Sequence, residues 1–103
     1  MDTKRIMNLL GLACRAGKIV CGDYAVAKYL KKKRVPLLFL AHDGSAAAQE
    51  SYRRIAETKD IPVIDIFSKE ELGQAVGKSQ HVVVLLTDRG FARAIEKVTN
   101  TNS

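Results

Sequence analysis

The chain of 103 residues contains no tryptophan, two cysteines and two histidines. Cys14 and Cys21 do not form a CxxC pair and the histidines are far apart, so there is no zinc-ligand pattern. No secretory signal is recognisable, and the longest apolar runs, residues 36–41 and 82–86, are far too short to cross a bilayer. We therefore expect a cytoplasmic protein with two reduced thiols, no metal and no contact with a membrane.

Motifs for enzymatic chemistry are also absent from the sequence. No GxGxxG follows a predicted strand and no GxxxxGK[ST] occurs, so the common phosphate-binding loops of nucleotide enzymes are missing. Neither cysteine has a nearby base to activate it. His42 and Asp43 are adjacent in a loop, where neighbouring side chains rarely point the same way. The sequence favours a protein that is not an enzyme and needs no cofactor, and an enzyme built on His42 and Asp43 is the weakest hypothesis.

Basic residues are abundant and unevenly distributed. The formal net charge is +6, and residues 1–34 contain nine Lys and Arg against two Asp, a balance of +7. The other 69 residues have a balance of −1. Such asymmetry is typical of proteins with a polyanionic partner. A solvated, solubilising helix face would account for the same charges, so the distribution alone leaves both interpretations open.

Hydrophobic periodicity alternates between helix and strand along the chain. Apolar residues at helical spacing predict helices over about residues 3–16, 23–33, 45–58, 68–77 and 89–99. Short apolar runs predict strands over residues 19–21, 37–41, 62–67 and 81–87. In the second helix, Val26, Tyr29 and Leu30 form the inward stripe. The order αβαβαβαβα predicts an α/β fold, a three-layer α/β/α sandwich, as one domain over residues 1–99 with a polar tail at 100–103.

The segment from Lys18 to Lys28 is the most informative part of the chain, and a basic run at residues 31–34 follows it. Gly22 is expected to form a tight turn that starts a helix, whose free N–H groups and positive dipole end attract an anion. The lysines that follow supply the non-specific attraction that a phosphate backbone needs. The segment therefore favours an RNA-binding module.

Three segments, at residues 16–28, 37–43 and 68–79, carry a pattern that can be compared with known families. The first is similar to GKIxxGxNExxK, the second is a strand with its turn, and the third is close to SKxxLGxAxGxS. Together they resemble the ribosomal protein L7Ae/L30e family of kink-turn RNA-binding proteins, and in particular its bacterial YlxQ-like branch. The resemblance implies a small mixed four-stranded sheet. It also implies that the loop after the first strand meets the loop before the last strand at one RNA-binding edge.

The resemblance extends to individual positions. Gly22, Lys18 and Lys28 match the glycine and lysines of the family pattern. The glycine would let RNA backbone approach closely, and the lysines would contact phosphates or base edges. The complete set of expected RNA-binding residues is Lys18, Gly22, Asp23, Tyr24, Lys28, Lys31, Lys32, Lys78, Gln80 and His81.

The chain departs from the family pattern at two places. Tyr24 and Ala25 replace the Asn-Glu pair that hydrogen-bonds sheared G·A pairs, and the side chain of Ala25 can neither donate nor accept. In the second loop, residues 78–81 are polar where the family is largely apolar. This loop suits phosphates and single-stranded bases. Tyr24 either stacks on an unpaired base or packs at the start of the helix.

Two hypotheses of different classes follow from these observations. The first is a non-enzymatic RNA-binding protein of ribosomal-protein type, which binds structured RNA, kink-turn-like or loop, through a basic edge. The second is a protein-interaction module that docks an acidic partner in a ribosome- or transcription-linked assembly, where loss of the Asn-Glu pair would be harmless.

Overall fold

The computed structural model of the protein describes residues 2–77 and 80–100. In this part of the chain the helices are α1 (Thr3–Arg15), α2 (Asp23–Lys32), α3 (Ala46–Lys59), α4 (Lys69–Ala75) and α5 (Arg89–Asn100). The strands are β1 (Ile19–Cys21), β2 (Leu37–Leu40), β3 (Val63–Ile64) and β4 (Val83–Leu86). Their order along the chain is the one that the periodicity predicts.

The four strands form one mixed sheet in the order β1-β4-β2-β3. Strand β4 is antiparallel to both β1 and β2, and β3 is parallel to β2. Helices α1, α4 and α5 pack on one face of the sheet, and α2 and α3 pack on the other. The predicted three-layer α/β/α sandwich with a mixed four-stranded sheet is therefore confirmed.

Strands β2 and β4 lie at the centre of the core, and all of their residues are buried. Their side chains alternate between the faces, so that Phe39 and Val84 pack under α1, α4 and α5, whereas Leu38 and Leu85 pack under α2 and α3. A continuous apolar run is typical of a strand covered on both sides, which explains why these two strands were recognisable in the sequence.

The bounds of three strands differ from the predictions. Strand β2 ends at Leu40 instead of residue 41, β4 is shorter than the predicted residues 81–87, and β3 has two residues instead of 62–67. After β3 the chain leaves the sheet, the Asp65 carboxylate pairs with Arg53 on α3 at 2.8 Å, and Ile66 is exposed.

The C-terminal bounds differ by one residue. Helix α5 continues to Asn100, so that residue belongs to the helix and not to the predicted tail. Residues 101–103, together with Lys78 and Ser79 of the predicted second loop, lie outside the described residues.

Side-chain caps are found at the starts of α3, α4 and α5. The Ser45 hydroxyl accepts a hydrogen bond from the Ala48 N–H at 3.1 Å, and Asp88 accepts one from the Phe91 N–H at 2.8 Å. Ser68 and Glu71 form a capping box at the start of α4. Asp43 accepts from the Lys69 N–H at 2.8 Å and so ties the loop after β2 to α4.

Both cysteines are half-buried, and they do not form a disulfide bond with each other. The Cys14 thiol lies 3.5 Å from the carbonyl oxygen of Val76, which it meets at the end of α4. Within residues 2–77 and 80–100, the helices are too short or too polar for any of them to traverse a lipid bilayer.

The capping box of α4 generates a stability prediction. Ser68→Ala removes the hydroxyl that accepts from the Glu71 N–H at 3.1 Å. We expect the free energy of unfolding to fall by about 1 kcal/mol, the typical value of an N-cap. Ser51→Ala, at an exposed position within α3, is the matched control and should be neutral or stabilising by up to about 0.5 kcal/mol, because Ala has the higher helix propensity. Urea unfolding of the two variants beside the wild type provides the test, and equal midpoints for both would contradict it.

Candidate nucleic-acid interface

The loops expected to form one edge meet at one end of the sheet. Cys21, the last residue of β1, pairs with Val84 of β4, so the chain after β1 lies beside the chain that enters β4. A cavity of about 270 Å³ opens there. It is lined by Gly22, Asp23, Lys69, Gln80, His81, Val82 and Val83, which we call the Gly22 pocket. Four of the predicted residues, two from each loop, therefore share one site.

Gly22 forms the turn between β1 and α2 with φ +93° and ψ 136°. A Cβ at this position would meet nothing within 4 Å, so glycine is required by the backbone conformation and not by crowding. Gly22 provides no side-chain cap to α2, although its carbonyl accepts from the Val26 N–H at 2.9 Å. The first-turn N–H groups of α2 are therefore available to an anionic ligand.

Asp23, the first residue of α2, has a structural partner. Its carboxylate accepts a 2.7 Å hydrogen bond from the Tyr52 hydroxyl on α3. Burial, followed by this hydrogen bond and the charge of Asp23, raises the pKa of Tyr52 well above its usual value. The Tyr52 hydroxyl therefore remains protonated and donates to Asp23 over the physiological pH range. The bond links the start of α2 to α3 and engages one of the two carboxylate oxygens of Asp23 beside the pocket.

Lys69 also lines the Gly22 pocket. It matches the lysine of the SKxxLGxAxGxS pattern but was not among the predicted RNA-binding residues. Its N–H is bound by the Asp43 carboxylate and its carbonyl accepts from the His81 N–H at 3.0 Å. Two backbone contacts from distant loops therefore hold the start of α4 at the pocket. Because both contacts depend on tertiary structure, the sequence pattern indicated the lysine itself but not its place at the pocket.

A second concavity of about 500 Å³ runs along α2 beside β1. Its lining is formed by Val20, Tyr24, Ala25, Lys28, Tyr29, Lys32 and Lys33, and we call it the α2 groove. Three of these were predicted site residues, whereas Tyr29 and Lys33 were not. Tyr29 was expected to face the core, and it does pack against the core cluster beneath α2 and α3. It is half-buried, so it also contributes to the lining of the groove.

The remaining predicted residues lie elsewhere. Lys31 is exposed on α2 and lines neither concavity. Lys18 precedes β1 at the opposite end of the sheet, where its carbonyl accepts from the Thr87 N–H at 2.9 Å. The sheet therefore separates Lys18 from the Gly22 pocket by the length of β1. Lys78 is outside the described residues.

The lysines of α2 are not neutralised by ion pairs in the described part of the chain. The ion pairs found there involve α3, at Arg53–Asp65 and Arg54–Glu50. Lys28, Lys31 and Lys32 are exposed without an acidic partner, and the Lys33 ammonium lies 5.8 Å from the centre of the Tyr29 ring. This helix face therefore presents a concentrated positive charge to solvent.

Comparison with known families now bears on this geometry. Residues 4–96 match the model of the ribosomal protein L7Ae/L30e/S12e/Gadd45 family. The chain belongs to this family. Its curated relatives in the L7Ae/L30e family include two bacterial proteins named RNA-binding protein YlxQ. The one from Bacillus subtilis strain 168 is 36% identical over 87 residues, which are 84% of this chain and 87% of that protein. The one from Enterococcus faecium is 28% identical over 97 residues, covering 94% and 93%.

Solved structures show the same L7Ae-type architecture. A Bacillus halodurans protein of unknown function superimposes with a TM-score of 0.83 at 30% identity, covering 90% of this chain and 94% of its own. The Giardia lamblia 15.5kD RNA binding protein superimposes with a TM-score of 0.76 at 19% identity, covering 93% and 82%. The second likeness shows that the fold is shared.

The turn at Gly22 generates a second prediction. Gly22→Ala places a Cβ on a backbone at φ +93°, a region that L-residues rarely adopt. The strain should lower the free energy of unfolding by about 1–3 kcal/mol or move the start of α2. Urea unfolding measures the first outcome, and amide hydrogen exchange at residues 23–26 measures the second. If both remain as in the wild type, the turn does not require glycine.

The Tyr52–Asp23 hydrogen bond generates a third prediction. Tyr52→Phe should lower the free energy of unfolding at pH 7 by about 1 kcal/mol, the usual net value of a hydrogen bond. The native pKa of Tyr52 is raised above that of the unfolded chain. Its contribution is therefore complete below pH of about 10 and is lost as pH rises toward the native pKa. The difference between wild type and variant should shrink at high pH, and a difference that does not change between pH 7 and pH of about 11 would contradict this assignment.

Proposed function

We propose that this chain is a non-enzymatic RNA-binding protein of ribosomal-protein type that binds structured RNA of the kink-turn or loop class. The Gly22 pocket and the exposed face of α2 would form the binding surface. One observation carries the proposal: in a member of this family, α2 and its C-cap expose Lys28, Lys31, Lys32 and Lys33 directly after a glycine turn with positive φ. The two curated relatives are named as RNA-binding proteins.

The charge arrangement supports a phosphate-bearing ligand. The α2 lysines have no recorded acidic partner among the described residues, so binding a phosphate would not require an existing ion pair to break. Asp23 is the acidic residue closest in sequence, and its carboxylate is engaged by Tyr52. Neutralising phosphates releases counterions, which makes affinity strongly dependent on salt.

The Gly22 pocket offers hydrogen-bonding groups of both kinds. Lys69 is a donor, Gln80 and His81 can donate and accept, and Asp23 retains acceptor capacity on its second oxygen. Unstacked bases are read through such groups in single-stranded loops and bulges, whereas plain duplex RNA presents few base edges. The pocket therefore favours an RNA with at least one displaced base. Because the named relatives are bacterial, the RNA would be met in the cytoplasm, and ribosomal RNA is one source.

The test is a salt titration of binding with charge-matched variants. Wild type is titrated with a kink-turn RNA, a hairpin-loop RNA and a plain duplex at several salt concentrations. The double variant Lys28→Glu/Lys32→Glu should weaken binding at least about tenfold and reduce the slope of log K against log salt by about 2. Lys4→Glu/Lys97→Glu changes the net charge by the same amount through exposed residues of α1 and α5, on the other face of the sheet. This control should retain most of the affinity.

Each outcome has a defined meaning. Preference for the kink-turn or loop RNA over the duplex, lost in the α2 variant, supports the proposal. Equal losses in both double variants would mean that only total charge matters. Failure of wild type to bind any of the three RNAs near physiological salt would contradict the proposal and favour an acidic protein partner.

A further inference from the structure

We propose that the α2 groove binds an unpaired nucleotide that flanks the structured element, with its base stacked on Tyr24 and its phosphates on the lysines of α2. The inference rests on the proposed function and specifies the RNA as a folded element continued by a single strand. The residues that would bind this nucleotide lie outside the Gly22 pocket.

The groove is formed by two rows of side chains on α2 and by the C-cap residue of that helix. Residues 24, 28 and 32 form one row at helical spacing, residues 25 and 29 form the adjacent row, and residue 33 follows them at the C-cap. Ala25 is the smallest of them, so the space between Tyr24 and Tyr29 is left open, with Val20 of β1 beside it. The volume of about 500 Å³ falls within the range of about 300–1,000 Å³ found for small-molecule sites.

Tyr24 is the most exposed large apolar side chain in the described part of the chain. It is 80% exposed, compared with 46% for Leu12 and 38% for Ile66. It therefore does not pack at the start of the helix, which was one of the two roles that the sequence left open. An exposed ring beside an apolar concavity offers a flat face on which any of the four bases can stack.

The positive charges around the groove favour a nucleotide over other kinds of ligand. Lys28, Lys32 and Lys33 contribute three positive charges, and no acidic residue lines the groove. The Lys33 ammonium lies 5.8 Å from the centre of the Tyr29 ring, so an aromatic ring and a cation are close enough for one ligand to contact both. A nucleotide presents a planar base and an anionic phosphate together. An acidic peptide would satisfy the lysines but would leave the Tyr24 face without a planar partner.

The position of the groove explains how a flanking strand would reach it. Asp23 lines the Gly22 pocket and Tyr24, the next residue, lines the groove. A strand leaving a folded element at the Gly22 turn would therefore enter the groove directly and run along α2 toward Lys32. Ala25, which cannot replace the hydrogen-bonding Glu of the family pattern, provides the space that this path needs.

The experiment compares two RNAs with the same kink-turn, one blunt and one with a short single-stranded adenine extension carrying 2-aminopurine. For wild type, the extension should tighten binding by about 5- to 150-fold, the range for removing one base–aromatic stack, and should quench the 2-aminopurine fluorescence. Tyr24→Ala should bind the extended and the blunt RNA with nearly equal affinity and should show no quenching. Tyr24→Phe should keep both the affinity difference and the quenching. Ala25 is exposed, and leucine is also a strong helix former, so Ala25→Leu fills the groove without altering the charge. This variant should also bind the two RNAs with nearly equal affinity.

The outcomes separate this inference from the proposed function. If wild type binds both RNAs equally, or if Tyr24→Ala keeps the affinity ratio, the groove inference is overturned while RNA binding stands. If wild type does not bind the blunt RNA or the extended one, the proposed function fails and the groove inference fails with it. Displacement by polyglutamate combined with equal binding of the two RNAs would assign the groove to an acidic protein segment and overturn the inference.

Discussion

Strand β4 forms backbone hydrogen bonds with both β1 and β2, and the candidate site depends on that pairing. Its register places Cys21 opposite Val84, so the turn that follows β1 must lie beside the residues that enter β4. A shift by one residue would move every β4 side chain to the other face of the sheet. Val83 would then lie under α1, α4 and α5, and Val84 under α2 and α3. Core packing on both faces therefore fixes the position of Gly22 relative to His81.

The fold could be predicted from the sequence because its signals are local. Continuous apolar runs marked β2 and β4, and apolar residues at helical spacing marked the helices. The pairing of the two loops could be expected only through the family resemblance. The role of Lys69 could not be predicted, because the contacts that hold it come from Asp43 and His81, which are distant in sequence. Lys18 was selected through the family pattern, and the structure separates it from Gly22 by the length of β1, so its part in RNA binding stays a prediction.

Positive charge and apolar surface are combined on α2. The helix is a solvated basic face, as the charge pattern allowed, and it also borders an apolar groove. Lys28 and Lys32 share a row with Tyr24, so their long alkyl stems extend along the same surface as the aromatic ring. Charged and apolar groups therefore share one face of α2. This face fits a ligand that has both an anionic and an apolar part better than a simple polyanion.

The sheet ends in very short strands on both sides. The edge strands β1 and β3 contain three and two residues, while the central strands are covered by helices on both faces. Long, flat edges provide free N–H and C=O groups that recruit strands from other molecules, and short edges offer few of them. A molecule with this much apolar strand sequence is thereby protected against edge-to-edge aggregation.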